Sequence, residues 1–145
     1  MNPRHIVVPG RPVAQGSMRS FGPRSVVPSN QQQLMHFRMS VLEVWHREGG
    51  DVYGGPIDLQ CDFVFERPNT HYLPVNRKRA TRMLRPDAPE SYTRTPDVDK
   101  MIRAVADALT GHAYTDDAQC VRMSGMKRWA SDVEQAHTFI RIYEV

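Results

Sequence analysis

Between Pro56 and Phe65 apolar and polar side chains alternate, with Ile57, Leu59, Cys61, Phe63 and Phe65 set against Asp58, Gln60 and Asp62. Successive side chains of a strand point to opposite faces, so this run reads as a half-buried strand. Its apolar face has to be flanked by other strands and covered by a second layer. Two stretches fit the covering layer. From Gln31 to Arg47 the spacings 34/37/41/44 and 35/42/45 gather Leu34, Phe37, Val41, Val44, Met35, Leu42 and Trp45 into a helical stripe, with Ser29 or Asn30 at its start and Gly49-Gly50 at its end. From Asp97 to Leu109 a second stripe holds Val98, Met101, Ile102, Val105, Ala108 and Leu109, opened by Asp97 as N-cap and closed by Gly111.

Three further strands are expected: Ile6-Val7-Val8, ended by Pro9-Gly10; Ala118 to Met126; and Val133 to Tyr143, with Ser131-Asp132 in a hairpin turn between the last two. The order β-α-β-α-β-β predicts an α+β fold, a mostly antiparallel sheet covered by two helices. A length of 145 residues with 40% hydrophobic side chains fits one domain over residues 1–145. No run approaches the ~20 apolar residues of a membrane span. The start, Met1 to Val8, lacks a signal-peptide pattern, so a cytoplasmic protein is expected. Cys61 and Cys120 sit alone in strand-like runs and read as free thiols.

Net charge is only +3, but it is unevenly spread. Residues 67–94 carry seven basic side chains against Asp87 and Glu90, a net of +5, which leaves −2 for the rest of the chain. One face is therefore expected to meet a polyanion. Two long basic loops stand out. Residues 9–30 are rich in Gly, Pro and Ser and carry Arg11, Arg19 and Arg24. Residues 66–96 contain five prolines and the run Arg77-Lys78-Arg79 with Arg82 and Arg85. These five basic residues are the candidate contacts to nucleic-acid phosphates, which position a duplex without reading its sequence.

The chemistry is expected at four carboxylates: Asp97 and Asp99 at the start of the second helix, and Asp116 and Asp117 in the turn before the next strand. Carboxylates gathered at one point repel one another and require a cation; hard oxygen donors select Mg²⁺ or Mn²⁺. That helix is about 20 Å long, so the two pairs meet only if the chain folds back along it. Arg103, four residues from both Asp99 and Asp107, shares their helix face, and Lys127 closes a strand. Of the six histidines only His112 lies near the acidic turn; no Ser-His-Asp, Cys-His, zinc or phosphate-loop pattern is present.

The ordered set Pro96-Asp97-Val98-Asp99, Asp107-Ala108-Leu109, Asp116-Asp117-Ala118-Gln119-Cys120-Val121 and Lys127 resembles the RusA family of Holliday junction resolvases. The similarity is dense over residues 95–129 and looser over the first strand, the first long loop and the last two strands. The resemblance implies a homodimeric, Mg²⁺-dependent endonuclease (Mn²⁺ substituting) that resolves four-way DNA junctions in recombination and repair, in a bacterial or phage-infected cell. It gives Asp97, Asp99 and Asp117 the part of metal-binding catalytic residues, with Asp116 as an adjacent, less critical ligand and Asp107 as a structural residue. Arg103 stands where the family has a helix lysine tied to catalysis or DNA contact, and Lys100 where many members have asparagine. Lys100 is expected to touch DNA, and Lys127 to touch phosphate or stabilise transition-state charge. Phe21 is a candidate wedge into a junction centre. Two other expectations stay open: a nuclease acting on other branched DNA, and a junction-binding protein that no longer cuts.

Overall fold

The computed structural model describes residues 3–16, 18–20, 26–28, 30–78 and 81–145, with the backbone alone at 18–20 and 26–28. Ser29, Phe21, Arg24, Arg79 and the side chain of Arg19 lie outside the described residues. Among the described residues the elements are β1 (Arg4–Pro9), β2 (Met18–Ser20), β3 (Val26–Pro28), α1 (Gln31–Arg47), β4 (Ile57–Phe65), α2 (Val98–Leu109), β5 (Cys120–Trp129) and β6 (His137–Glu144). Short 3₁₀ turns occupy Asn69–His71 and Asp117–Gln119.

The sheet order is β1-β6-β4-β5. β6 runs antiparallel to both β1 and β4, and β5 runs parallel to β4. The expected α+β domain is therefore present, with one correction: β5 and β6 do not form a hairpin. β4 lies between them, and residues 130–136 cross its end, where the Ala130 N–H donates to the Phe65 carbonyl at 2.8 Å. The reason is the route of the chain. β4-α2-β5 is a crossover with the helix laid on the sheet, and a crossover returns the strand parallel to its predecessor. β4 is central, with its apolar face under the helices and Gln60 and Asp62 of the other face half-buried, as its alternation predicts. Asp58 and Val64 of that other face are fully buried. Asp58 Oδ2 there accepts from Tyr143 Oη (2.8 Å) and Arg122 (3.1 Å).

Both helices pack on one face of the sheet. α1 buries Leu34, Phe37, Val41, Val44 and Trp45; α2 buries Met101, Ala104, Val105, Ala108 and Leu109; all join Ile6, Val8, Leu59, Cys61, Phe63, Ile140 and Ile142 in one core. Met35, placed on the α1 stripe by its spacing, is 52% exposed and lies off it. The α1 end follows the sequence. Gly49 takes φ 70°, which a side chain resists, and Gly49 and Gly50 N–H groups close on the His46 and Trp45 carbonyls. Asn30 is the α1 N-cap by position, yet its side chain serves the first long loop instead, accepting from Gly16 N and donating to Ala14 O, both at 2.8 Å. That loop also contains the short β2-β3 ladder, which the Gly, Pro and Ser content had concealed. Residues 90–92 lie along the free edge of β5, through Tyr92 N to Lys127 O and Trp129 N to Glu90 O.

Candidate active site

α2 carries the first acidic pair because its buried stripe fixes which residues turn outward. Asp97, Asp99, Lys100 and Arg103 are all exposed at its first two turns. Asp97 is the N-cap by backbone, but its carboxylate makes no capping hydrogen bond, contrary to the sequence expectation. It faces Lys100 Nζ at 3.5 Å instead. A carboxylate not engaged in capping keeps its oxygens available to a ligand. Among the described residues Asp99 forms no ion pair.

The second pair is held by a different device. Asp116 opens the 3₁₀ turn and its Oδ1 accepts from Ala118 N at 2.8 Å. That backbone N–H, then the neighbouring Asp117 carboxyl, hold the Asp116 carboxyl below its ordinary pKa. Gln119 completes a capping box: its Oε1 accepts from Thr115 N (2.8 Å) and Asp116 N (3.0 Å), while its Nε2 donates to Tyr53 O (3.1 Å) and Gly55 O (3.0 Å). Gln119 thus ties the acidic turn to the segment before β4. Sequence reasoning quoted Gln119 but gave it no role; the Asp-x-x-Gln capping pattern was the signal that could have done so.

Arg103 ties the second pair to α2. Its Nη1 lies 3.6 Å from Asp117 Oδ2 and 3.9 Å from Asp107 Oδ1. Asp107 in turn accepts from Arg38 of α1 at 3.3 Å, which places it in the helix-helix contact. The acidic turn therefore does fold back against the outer face of α2. Among the described residues, however, no three of His, Cys, Asp or Glu stand close enough to hold one metal ion. Two of the exposed carboxylates face a side-chain cation, Lys100 at Asp97 and Arg103 at Asp117, and such exposed pairs are worth no more than about 1 kcal/mol. The donor set still fits a hard divalent ion: it is all oxygen, exposed, and held by contacts that a +2 charge exceeds.

Lys127 reaches the segment that leads into α2. Its Nζ donates to Arg94 O (2.7 Å) and Pro96 O (2.8 Å), so it fixes the residues directly before Asp97. Arg67, counted in the basic segment, is buried and donates to Ala130 O (2.6 Å) and Pro89 O (2.7 Å); it is a structural strut. Arg77, Lys78, Arg82 and Arg85 are exposed. Arg85 donates to Thr70 O at 3.1 Å, and the Arg82 guanidinium stacks 3.5 Å from the Tyr72 ring centre. His112 meets His46 edge-on, at 5.4 Å, rather than the acidic turn.

A cleft of about 540 Å³ opens beside Asp97, walled by Arg11, Gln15, Asn30, Gln33 and Lys100. The site is thus an acidic pair at the start of α2 and a second in the turn docked on its outer face, interleaved with Lys100 and Arg103, with Asp97, Lys100 and Arg11 at the cleft. Phosphate esters suit such a surface. No curated protein matches the chain significantly. The family model described as endodeoxyribonuclease RusA matches residues 9–143, so from the first loop to the last strand the chain belongs to the RusA family of endodeoxyribonucleases.

Proposed function

We propose that the chain resolves four-way DNA junctions, as a homodimer, by paired phosphodiester hydrolysis dependent on Mg²⁺ or Mn²⁺, in recombination and repair. The observation that carries this reading is the fold-back of the Asp116-Asp117 turn onto the Asp99–Arg103 face of α2, within a family of DNA endonucleases. Asp97, Asp99 and Asp117 would hold the ion, with Asp116 keeping the turn in shape. An ion held there would supply an activated water and neutralise charge growing on the scissile phosphate. The chain's own groups do the positioning. Lys127 fixes the backbone before Asp97, Gln119 fixes the acidic turn, and Arg103 and Lys100 balance the carboxylates until phosphate arrives, then turn to it. A four-way junction has two-fold symmetry, which an isologous dimer matches by presenting two equivalent sites.

The test compares cleavage of a four-way junction, a flap and a linear duplex of equal length in Mg²⁺. The expected result is junction cutting at least about tenfold faster than either other substrate; equal rates on the flap would assign the chain to branched DNA in general. A second reading, a junction binder that no longer cuts, draws support from Lys100 and Arg103 already occupying Asp97 and Asp117. Absence of cutting in both Mg²⁺ and Mn²⁺, with binding intact, would establish it.

A further inference from the structure

β1, β4 and β5 share one direction, so their carboxyl ends lie at one edge of the sheet. At that edge is a second cavity, of about 710 Å³, distinct from the cleft beside Asp97 but sharing Arg11 with it. Its wall is a run of rings. Phe65 and Tyr92 stack at 3.8 Å, Trp129 meets Tyr92 edge-on at 4.6 Å, and Tyr72 stands across from them. Three exposed guanidinium groups lie over these rings: Arg82 at 3.5 Å from the Tyr72 centre, Arg94 at 5.3 Å from Trp129, and Arg11 at 5.8 Å from Phe65. Among the described residues none of the three forms an ion pair. Three carboxylates also line the cavity, against the four guanidinium groups of Arg11, Arg67, Arg82 and Arg94: Glu134 is taken up by Nη1 and Nη2 of Arg128, while Glu66 and Asp132 are exposed. The positive field reaches His71, edge-on to Trp129, whose pKa is lowered first by burial and then by Arg67 and Arg94.

A guanidinium held flat on a ring is pre-organised. Its outer face can stack a base and its N–H edge can bond a phosphate. Rings interleaved with cations in a recess are the chemistry of a single strand, whose bases are open to stacking, rather than of a duplex, whose bases are hidden. We propose that this cavity binds an unpaired run of the DNA strand that continues from the Asp97 cleft, with Arg11 at the passage between the two, phosphates on Arg11, Arg82 and Arg94, and bases on the outer faces of the Arg82 and Arg94 guanidinium groups that cover Tyr72 and the buried Trp129. The proposal rests on DNA being the substrate.

The test uses the full chain in EDTA, so that no cutting is required, with oligo-dT of twelve nucleotides as the probe. Trp129 lines the cavity wall, 7% exposed beneath Arg94, whereas Trp45 of α1 is fully buried away from it, so a change in intrinsic fluorescence on binding reports the cavity. Oligo-dT is expected to quench it, and Trp129→Phe to abolish the quench while binding by anisotropy persists. Inorganic phosphate at equal charge should give no quench. Arg94→Gln or Arg82→Gln should weaken oligo-dT binding about fivefold to tenfold, and each should lower the slope of log affinity against log salt by about 0.7. Duplex of equal length should lose less than about twofold. Both arginines are exposed, and thermal melting checks that the variants fold; the quench of the unmutated chain by oligo-dT stands without them. No quench by oligo-dT, a quench by phosphate alone, or equal losses on duplex would overturn the proposal. Junction cutting without an oligo-dT quench would sink the cavity assignment alone. Oligo-dT binding without any cutting would sink the nuclease reading and leave the cavity.

Discussion

At the scale of single residues, the acidic site is a balance of charge. Asp97 and Asp117 are each answered by a cation, while Asp99 has none among the described residues. A divalent ion should therefore bind and stabilise the fold by mass action. For a site of about millimolar affinity, 10 mM Mg²⁺ adds about 1.4 kcal/mol, which raises the melting temperature by a few degrees. Asp117→Asn is expected to abolish that rise in a calorimetric scan; a rise unchanged in the variant would remove Asp117 from the ligand set. Gln119 makes four hydrogen bonds that no other residue can replace. Gln119→Ala should cost about 1–3 kcal/mol in urea unfolding and slow cutting, because the turn loses its anchor. Glu134 lies far from this site and gives a pH signature. Arg128 bonded to it holds its pKa at about 2, against an ordinary 4.5. A carboxylate with a depressed folded pKa adds stability that is full above pH 4.5 and lost as pH falls through 2. Glu134→Gln should therefore cost about 1 kcal/mol at pH 7, discounted for partial exposure, and nothing below pH 2.

At the scale of elements, close approaches fix how helices meet strands. A methyl group at Gly50 would run into the indole of Trp45, which is fully buried and cannot retreat. Gly50→Ala is expected to destabilise by about 1–3 kcal/mol, measured by denaturant unfolding, although no hydrogen bond is removed. A Cβ at Gly125 would stand 2.8 Å from Ile102 Cδ1, on the face where α2 lies on β5. The elements themselves were legible because each has one period and one buried stripe: α1, α2 and β6 lie within a few residues of their expected bounds. The β5-β6 pairing was not legible. Adjacent strands joined by a short polar turn look like a hairpin, and only the crossover through α2, which sets β5 parallel to β4, excludes it. The capping role of Asp97 was misjudged for a related reason. Residue type and position both favoured it, but Lys100 competes for the carboxylate.

At the scale of the whole molecule, the sheet sorts the functions by edge. The carboxyl ends of β1, β4 and β5 carry the cavity of rings and guanidinium groups, and the entry of α2 opens beside it. The acidic residues could be named from their order along the chain, because a D-x-D helix start followed by an acidic turn is a local pattern. The docking of Asp117 on α2 through Arg103, and the posts held by Lys127 and Arg67, depend on contacts spanning 14 to 63 residues, which no local period encodes. The proposed activity is the cutting of four-way DNA by Asp97, Asp99 and Asp117. The most direct measurement is a strand-resolved gel of a fixed four-way junction incubated in Mg²⁺ with the unmutated chain and with Asp117→Asn. Paired nicks in opposing strands are expected for the former. For the variant a loss of more than about 100-fold in rate is expected, with the mobility shift of the bound junction retained. Cutting by Asp117→Asn at the unmutated rate would contradict the proposal.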